Sequence, residues 1–177
     1  VLAYSFAKAG CPTVMPDLFH GDPVPASALS DPSSSFNMTA WRARPPHARV
    51  AVIITSAIRS RRGALEAKRL AAAGYCFGGN SIARFLAERR GVDAGFTAQL
   101  SAVLAEEWEA VAGPISIACS STMPRNRTNA ESIFFEGNEI YQTSLFANAE
   151  HGFAVRTNLT DKKKAFAQGS AHFQAVR

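Results

Sequence analysis

The sequence predicts an α/β fold: three layers, with a mostly parallel sheet of about five strands flanked by helices. Three observations carry this expectation. Several short runs are apolar at consecutive positions, as strands covered on both faces are. Helical patterns separate these runs, and strands alternating with helices imply parallel pairing through right-handed crossovers. The glycine-rich turn Gly74-Tyr75-Cys76-Phe77-Gly78-Gly79 joins a strand pattern to a helical one. It falls at the carboxyl end of a strand, where open sheets of this kind bind ligands.

Taken in order, residues 1–9 pattern as an amphipathic helix rather than as a cleavable signal. The expected strands are 12–18, 70–76, 94–100, 114–118 and 141–147. Residues 21–36, rich in Pro, Ser and Asp, form an irregular excursion after the first of them. Helical patterns cover 49–62, 81–90, 105–111, 126–135 and 161–176. With 177 residues there is enough chain for one sizeable core, and no break divides it, so a single domain over 1–177 is expected.

Composition excludes several classes. No apolar run approaches the length of a membrane span. Three cysteines without paired spacing argue against a disulfide scaffold and for a reducing compartment, so the expected location is cytoplasmic. Without a secretion signal, the glycosylation triplets at Asn37, Asn126 and Asn158 read as coincidence. The net charge of +5 raises the question of a nucleic-acid partner. The basic residues lie in short groups at 42–49, 59–62, 84–90 and 162–164, with no interleaved aromatics to stack on bases, so solvated helix faces explain them and no nucleic acid is expected.

The turn at 74–79 has the pattern of a nucleophile elbow. A reactive side chain there sits on a sharp strand-to-helix bend, and glycines on either side admit backbone where a Cβ would collide. Cys76 is the nucleophile this assigns. The amino end of the following helix favours its thiolate, and the N–H of Phe77 is placed to donate to a developing oxyanion. Cys11 and Cys119 lie outside such a turn and read as buried, inert thiols. Neither metal nor cofactor is needed for this chemistry.

Four histidines compete for the role of base. His20 follows the first strand in a loop able to line a pocket rim, His47 lies in a Pro-Pro-His segment, and His172 falls within the last helix. His151 stands just after the last strand, the position a base takes in this fold.

The segments 74–79, 15–22 and 150–156 resemble the dienelactone hydrolase family, especially its fungal members. The likeness extends through 36–41, 84–87 and 91–98 and so covers most of the chain. It implies an α/β-hydrolase fold and hydrolysis of small lactones or related esters, with a role in fungal secondary metabolism. It places the family's cysteine on Cys76 and its histidine on His151. It also implies that Arg156 meets a substrate carboxylate. Apart from the resemblance, Phe19, His20, Phe36 and Trp41 are candidates to line an aromatic substrate pocket, with core packing equally open for Phe36 and Trp41.

The chain departs from the family's pattern twice. The family carries an acid after the strand preceding the last, and here one register puts Ser120 there while the other puts Asn138. The first register leaves room for a helix over 126–135 and is preferred. Glu150 and Glu139 are the remaining carboxylates. The second departure is at the start: the family has strands and an oxyanion loop ahead of the helix at 1–9, so the chain is expected to be N-terminally incomplete. Two functions compete: a Cys–His hydrolase of small esters, thioesters or lactones, and a non-catalytic small-molecule-binding relative of the same fold.

Overall fold

The computed structural model describes residues 2–31, 33–44, 47–87, 90–99, 103–121 and 124–176. In chain order the elements are helix α1 (Leu2–Lys8), α2 (Ala26–Ser30), α3 (Met38–Arg42), α4 (His47–Gly63), strand β1 (Ala71–Tyr75), α5 (Phe77–Leu86), β2 (Ala94–Ala98), α6 (Ala105–Glu109), β3 (Ile115–Ser120), α7 (Pro124–Glu136), β4 (Tyr141–Phe146) and α8 (Lys162–Val176). They form two compact units, one from Val1–Pro12 with Ala67–Arg177 and one from Thr13–Glu66.

The larger unit is the predicted layered α/β structure. Its four strands are all parallel, in the order β1-β2-β3-β4. The register pairs Tyr75 with Ala98, Ala98 with Ala118, and Ser120 with Phe146. The carboxyl ends of all four strands therefore share one edge of the sheet.

Because side chains alternate across a strand, each face has its own helices. Gly74 and Gly95 face α5: a Cβ on Gly95 would lie 2.5 Å from Ile82 and from Leu86. The same face carries Ile115 and Ile117, and beyond it the fully buried Trp108 of α6 meets Phe134 of α7 edge-on at 5.5 Å. On the opposite face, Phe96, Ala98, Ala118 and Phe146 pack with Ala167 and Ala171 of α8. Small residues on α8 let the helix lie close to the sheet, and α1 adds to this layer through Phe6, whose ring meets His172 at 5.5 Å.

Among the described residues there are four strands where five were expected. Residues 12–18 carry no ladder hydrogen bonds and run as irregular chain into a turn. Pro12 and Pro16 lack the N–H that a ladder needs, and the segment is largely exposed, so its apolar residues belong to no strand. The helix after the elbow begins at Phe77 and ends at Leu86, earlier than the 81–90 expected, because Ala87 leaves it to bridge Val111.

In the smaller unit, the excursion at 21–36 is less irregular than its composition suggests. It holds α2, and α3 follows immediately, capped by the Asn37 side chain accepting from the N–H of Ala40. Asp17 organises the preceding turn by accepting from the N–H groups of Phe19 at 2.9 Å and Gly21 at 2.6 Å. These two bonds hold its carboxyl below the usual aspartate range.

Candidate active site

The site is built at the carboxyl edge of the sheet. Directly after β1, Cys76 turns the chain at φ +50° and ψ −112°, a conformation costly for a residue with a Cβ. Its own N–H is held by the carbonyl of Ala98, and its carbonyl accepts from the N–H of Gly79 at 3.0 Å. The strained turn is thus pinned from both sides. Phe77 opens α5, whose first-turn N–H groups point toward the helix's amino end, where Cys76 is the capping residue.

Gly74 and Gly78, which flank the cysteine at equal spacing, differ. A Cβ on Gly74 would lie 2.4 Å from the Gly78 carbonyl oxygen and 2.6 Å from Ile82, so only glycine fits there. A Cβ on Gly78 would meet nothing within 4 Å. Of these two, close packing requires glycine at Gly74, on the strand side, and leaves space at Gly78.

His151 arrives from the loop after β4. Its Nε2 stands 3.0 Å from the Sγ of Cys76, across 75 residues of sequence. The loop that carries it is anchored in the core by the fully buried Phe153 and by Ala154, with the Phe153 ring 5.2 Å from Phe146. Gly152 turns at φ +98°, and the N–H groups of Val155 and Arg156 both donate to its carbonyl. This compact turn leaves His151 exposed beside the sulfur while the three residues that follow it are buried. Arg156 lies over Gly152, with its Nε 2.9 Å from where a Cβ on that glycine would be.

The other candidate residues have settings of their own. His172 is held in the α1–α8 layer with its Nδ1 buried and unpartnered among the described residues. The His47 side chain lies outside the described residues. His20 and Trp41 belong to the smaller unit. There His20 is an exposed turn residue at φ +52°. Trp41 is buried, its ring 4.9 Å from Phe19 and its Nε1 donating to the Asp22 carbonyl at 2.9 Å.

The three thiols are equally distinct, and none is in a disulfide. Cys119 is buried, and desolvation pushes its thiol up to about 11, so it stays protonated near neutrality. Cys11, expected to be buried, is exposed just beyond the end of α1, because that short helix buries none of its residues.

The acid position divides along the same geometry. Asn138 and Glu139 precede β4 and so lie at the amino edge of the sheet, a strand length of roughly 20 Å from the carboxyl edge. Neither can reach His151. Ser120 ends β3 at the correct edge, buried on the α8 face, and α7 occupies the helical segment after it as the preferred register requires. Glu150 turns away toward α8, where its Oε1 accepts from Lys164 Nζ at 2.7 Å. This bond raises the lysine above its ordinary range.

A cavity of about 490 Å³ between the end of β4 and the first turns of α8 is not lined by either member of the Cys–His pair. Among the described residues no cluster of three His, Cys, Asp or Glu gathers to hold a metal ion, and no helix is long and apolar enough to cross a membrane.

The family model described as the dienelactone hydrolase family matches residues 2–175. The chain belongs to the dienelactone hydrolase family. Among curated relatives, it is 35% identical over 180 residues to hydrolase pyvD of Aspergillus violaceofuscus, spanning 99% of this chain and 71% of that protein. It is 32% identical over 188 residues to hydrolase tropI of Talaromyces stipitatus, spanning 99% and 72%. The structure of a dienelactone hydrolase-like promiscuous phosphotriesterase, P91, superposes with a TM-score of 0.52 at 18% identity, over 76% of this chain and 61% of that one. This last likeness concerns the fold, which is that of the family. Family membership supports a hydrolase role.

Proposed function

We propose that the chain hydrolyses small carboxylic esters, thioesters or lactones through a Cys76–His151 pair. The observation that carries this reading is the 3.0 Å contact between Nε2 and Sγ, made by two residues remote in sequence at the one sheet edge where ligands bind. His151 removes the thiol proton, and the thiolate attacks the carbonyl carbon. The C–S bond forms as the carbonyl π pair moves onto oxygen, where the Phe77 N–H stabilises it. Collapse expels the alkoxide, which takes the proton from the His151 imidazolium and leaves a thioester. His151 then deprotonates water, which attacks the thioester and restores the thiol as the acid departs. In a lactone the alcohol stays tethered to the acid released.

Ser120, where the resemblance places the acid, is neutral and cannot stabilise the imidazolium as a carboxylate does. Loss of that carboxylate costs about 10⁴ in a serine triad. A cysteine depends on it less, because the thiolate forms more readily, so turnover is expected to be slow rather than absent. Arg156, in the same loop as His151, suits a substrate bearing a carboxylate. A substrate-binding role for His20 and Trp41 rests on their aromatic segments of sequence, and a place in fungal secondary metabolism rests on the resemblance alone.

The test is hydrolysis of p-nitrophenyl esters combined with iodoacetamide labelling. Cys11 is exposed, so access alone would label it at least as fast as Cys76. Faster labelling of Cys76, with turnover lost in Cys76→Ala and in His151→Ala, is expected. Labelling of Cys11 ahead of Cys76, or turnover that survives Cys76→Ala, would overturn the reading in favour of a non-catalytic binding protein.

A further inference from the structure

His151 has a long way to reach. It leaves from the loop after β4, the fourth strand, yet meets a sulfur at the end of β1, the first. Three strand spacings of about 4.8 Å separate those ends. Its loop must therefore cross the ends of β3 and β2, and something has to fix where it lands.

Gln99 stands on that path. It is the first residue after β2, 2% exposed, with its backbone at φ +60°. A residue continuing the strand would fall on the α5 face with Gly95 and Thr97. Gln99 instead leaves the strand in a left-handed turn, and its side-chain Nε2 donates to the carbonyl of Glu150 at 2.8 Å. Glu150 immediately precedes His151. The Gln99 N–H is itself held by the Ala118 carbonyl at 3.2 Å, so the sheet sets its position. Its Oε1 is buried without a partner among the described residues. Burying that acceptor and straining the backbone are both unfavourable, and the one interaction they secure is the bond to the histidine loop.

We infer that Gln99 is a positioning residue, fixing His151 against Cys76 through the carbonyl of Glu150. This rests on the Cys76–His151 reading and deepens it. The rival anchor is Phe153, whose buried ring could hold the loop unaided. The two anchors act at different points: Phe153 fixes the loop's depth against α8, whereas Gln99 fixes its reach across the sheet edge.

Gln99→Met separates them. It removes the amide donor and the orphaned acceptor together while keeping the volume. The Glu150 carbonyl keeps its bond from the N–H of Phe153 at 3.1 Å, so folding should be little affected. The readout is the rate of Cys76 alkylation by iodoacetamide at neutral pH, per folded molecule, compared with wild type and His151→Ala. In Gln99→Met the rate should fall about ten-fold, toward that of His151→Ala, with kcat for p-nitrophenyl esters falling and KM unchanged, because misplacement by an ångström is costly to a reacting pair. An alkylation rate equal to wild type overturns the inference. Should Gln99→Met fail to fold, Gln99→Glu decides: it keeps the shape but sets a carboxylate against the Glu150 carbonyl, and a wild-type rate there overturns the inference equally. If His151→Ala leaves Cys76 alkylation unchanged, the pairing itself is wrong, and the Gln99 role falls with the proposed function.

Discussion

The carbonyl oxygen of Gly78 closes over the α-carbon of Gly74 so tightly that a Cβ there would lie 2.4 Å from it. The first turn of α5 therefore rests on the last residues of β1, and the elbow's sharpness is set by this one approach. Gly74→Ala should cost about 3 kcal/mol, because the obstacle is backbone and cannot swing aside. Gly78→Ala should be tolerated within about 0.5 kcal/mol. Urea denaturation midpoints of the two variants check both; equal destabilisation would mean that the packing at Gly74 is looser than described.

Gly152 is another position that favours glycine. Its φ of +98° is unfavourable for any other residue, and a Cβ would press on Arg156. Gly152→Ala should lose about 1–2 kcal/mol of stability and also displace Arg156. With an ester carrying a free carboxylate, KM should rise more than with a neutral ester. The same KM change for both esters would remove Arg156 from substrate binding.

Glu150 adjoins the histidine yet spends its carboxylate on Lys164. Glu150→Gln should therefore lower ester hydrolysis by no more than about three-fold, as expected for a largely exposed ion pair. A triad acid would cost orders of magnitude more. A drop of a thousand-fold or more in steady-state assays would show that Glu150 serves His151 after all.

Alkaline pH should weaken the fold in a defined window. Burial raises Cys119 from its ordinary value of 9.0 to about 11, and Tyr75 from 10.0 to about 12. Both are acids neutral when protonated, so between roughly pH 9 and 12 the folded chain binds more protons than the unfolded one. Stability is then full below pH 9 and falls as pH rises. Thermal midpoints measured from pH 8 to 11 should decline, and Cys119→Ala should flatten the first part of that decline. A profile unchanged by the substitution would mean that Cys119 does not titrate on unfolding.

Much of this architecture was legible in the sequence because it depends on local patterning. Runs such as Gly95-Phe96-Thr97-Ala98 read as buried strand because both faces of the sheet are covered, and 162–176 reads as helix from its own residues. Residues 12–18 misled for the same reason: their apolar content is that of a strand, but pairing needs donors that Pro12 and Pro16 lack. The turn that carries Cys76, the proposed nucleophile, was visible because such a bend imposes glycine locally, at Gly74. Gln99 was not, since a glutamine after a strand carries no local signal, and its value comes from a carbonyl 51 residues away.

The amino acids alone determined the layered α/β class, the turn that presents Cys76 and the candidacy of His151, all of which follow from short-range pattern and chain order. Tertiary structure decided which histidine meets the sulfur, which carboxylates are out of reach, and how the loop is held across the strand ends. Those are matters of distance between segments far apart in the chain. Parallel strands set such distances through their register, which no single stretch of sequence contains.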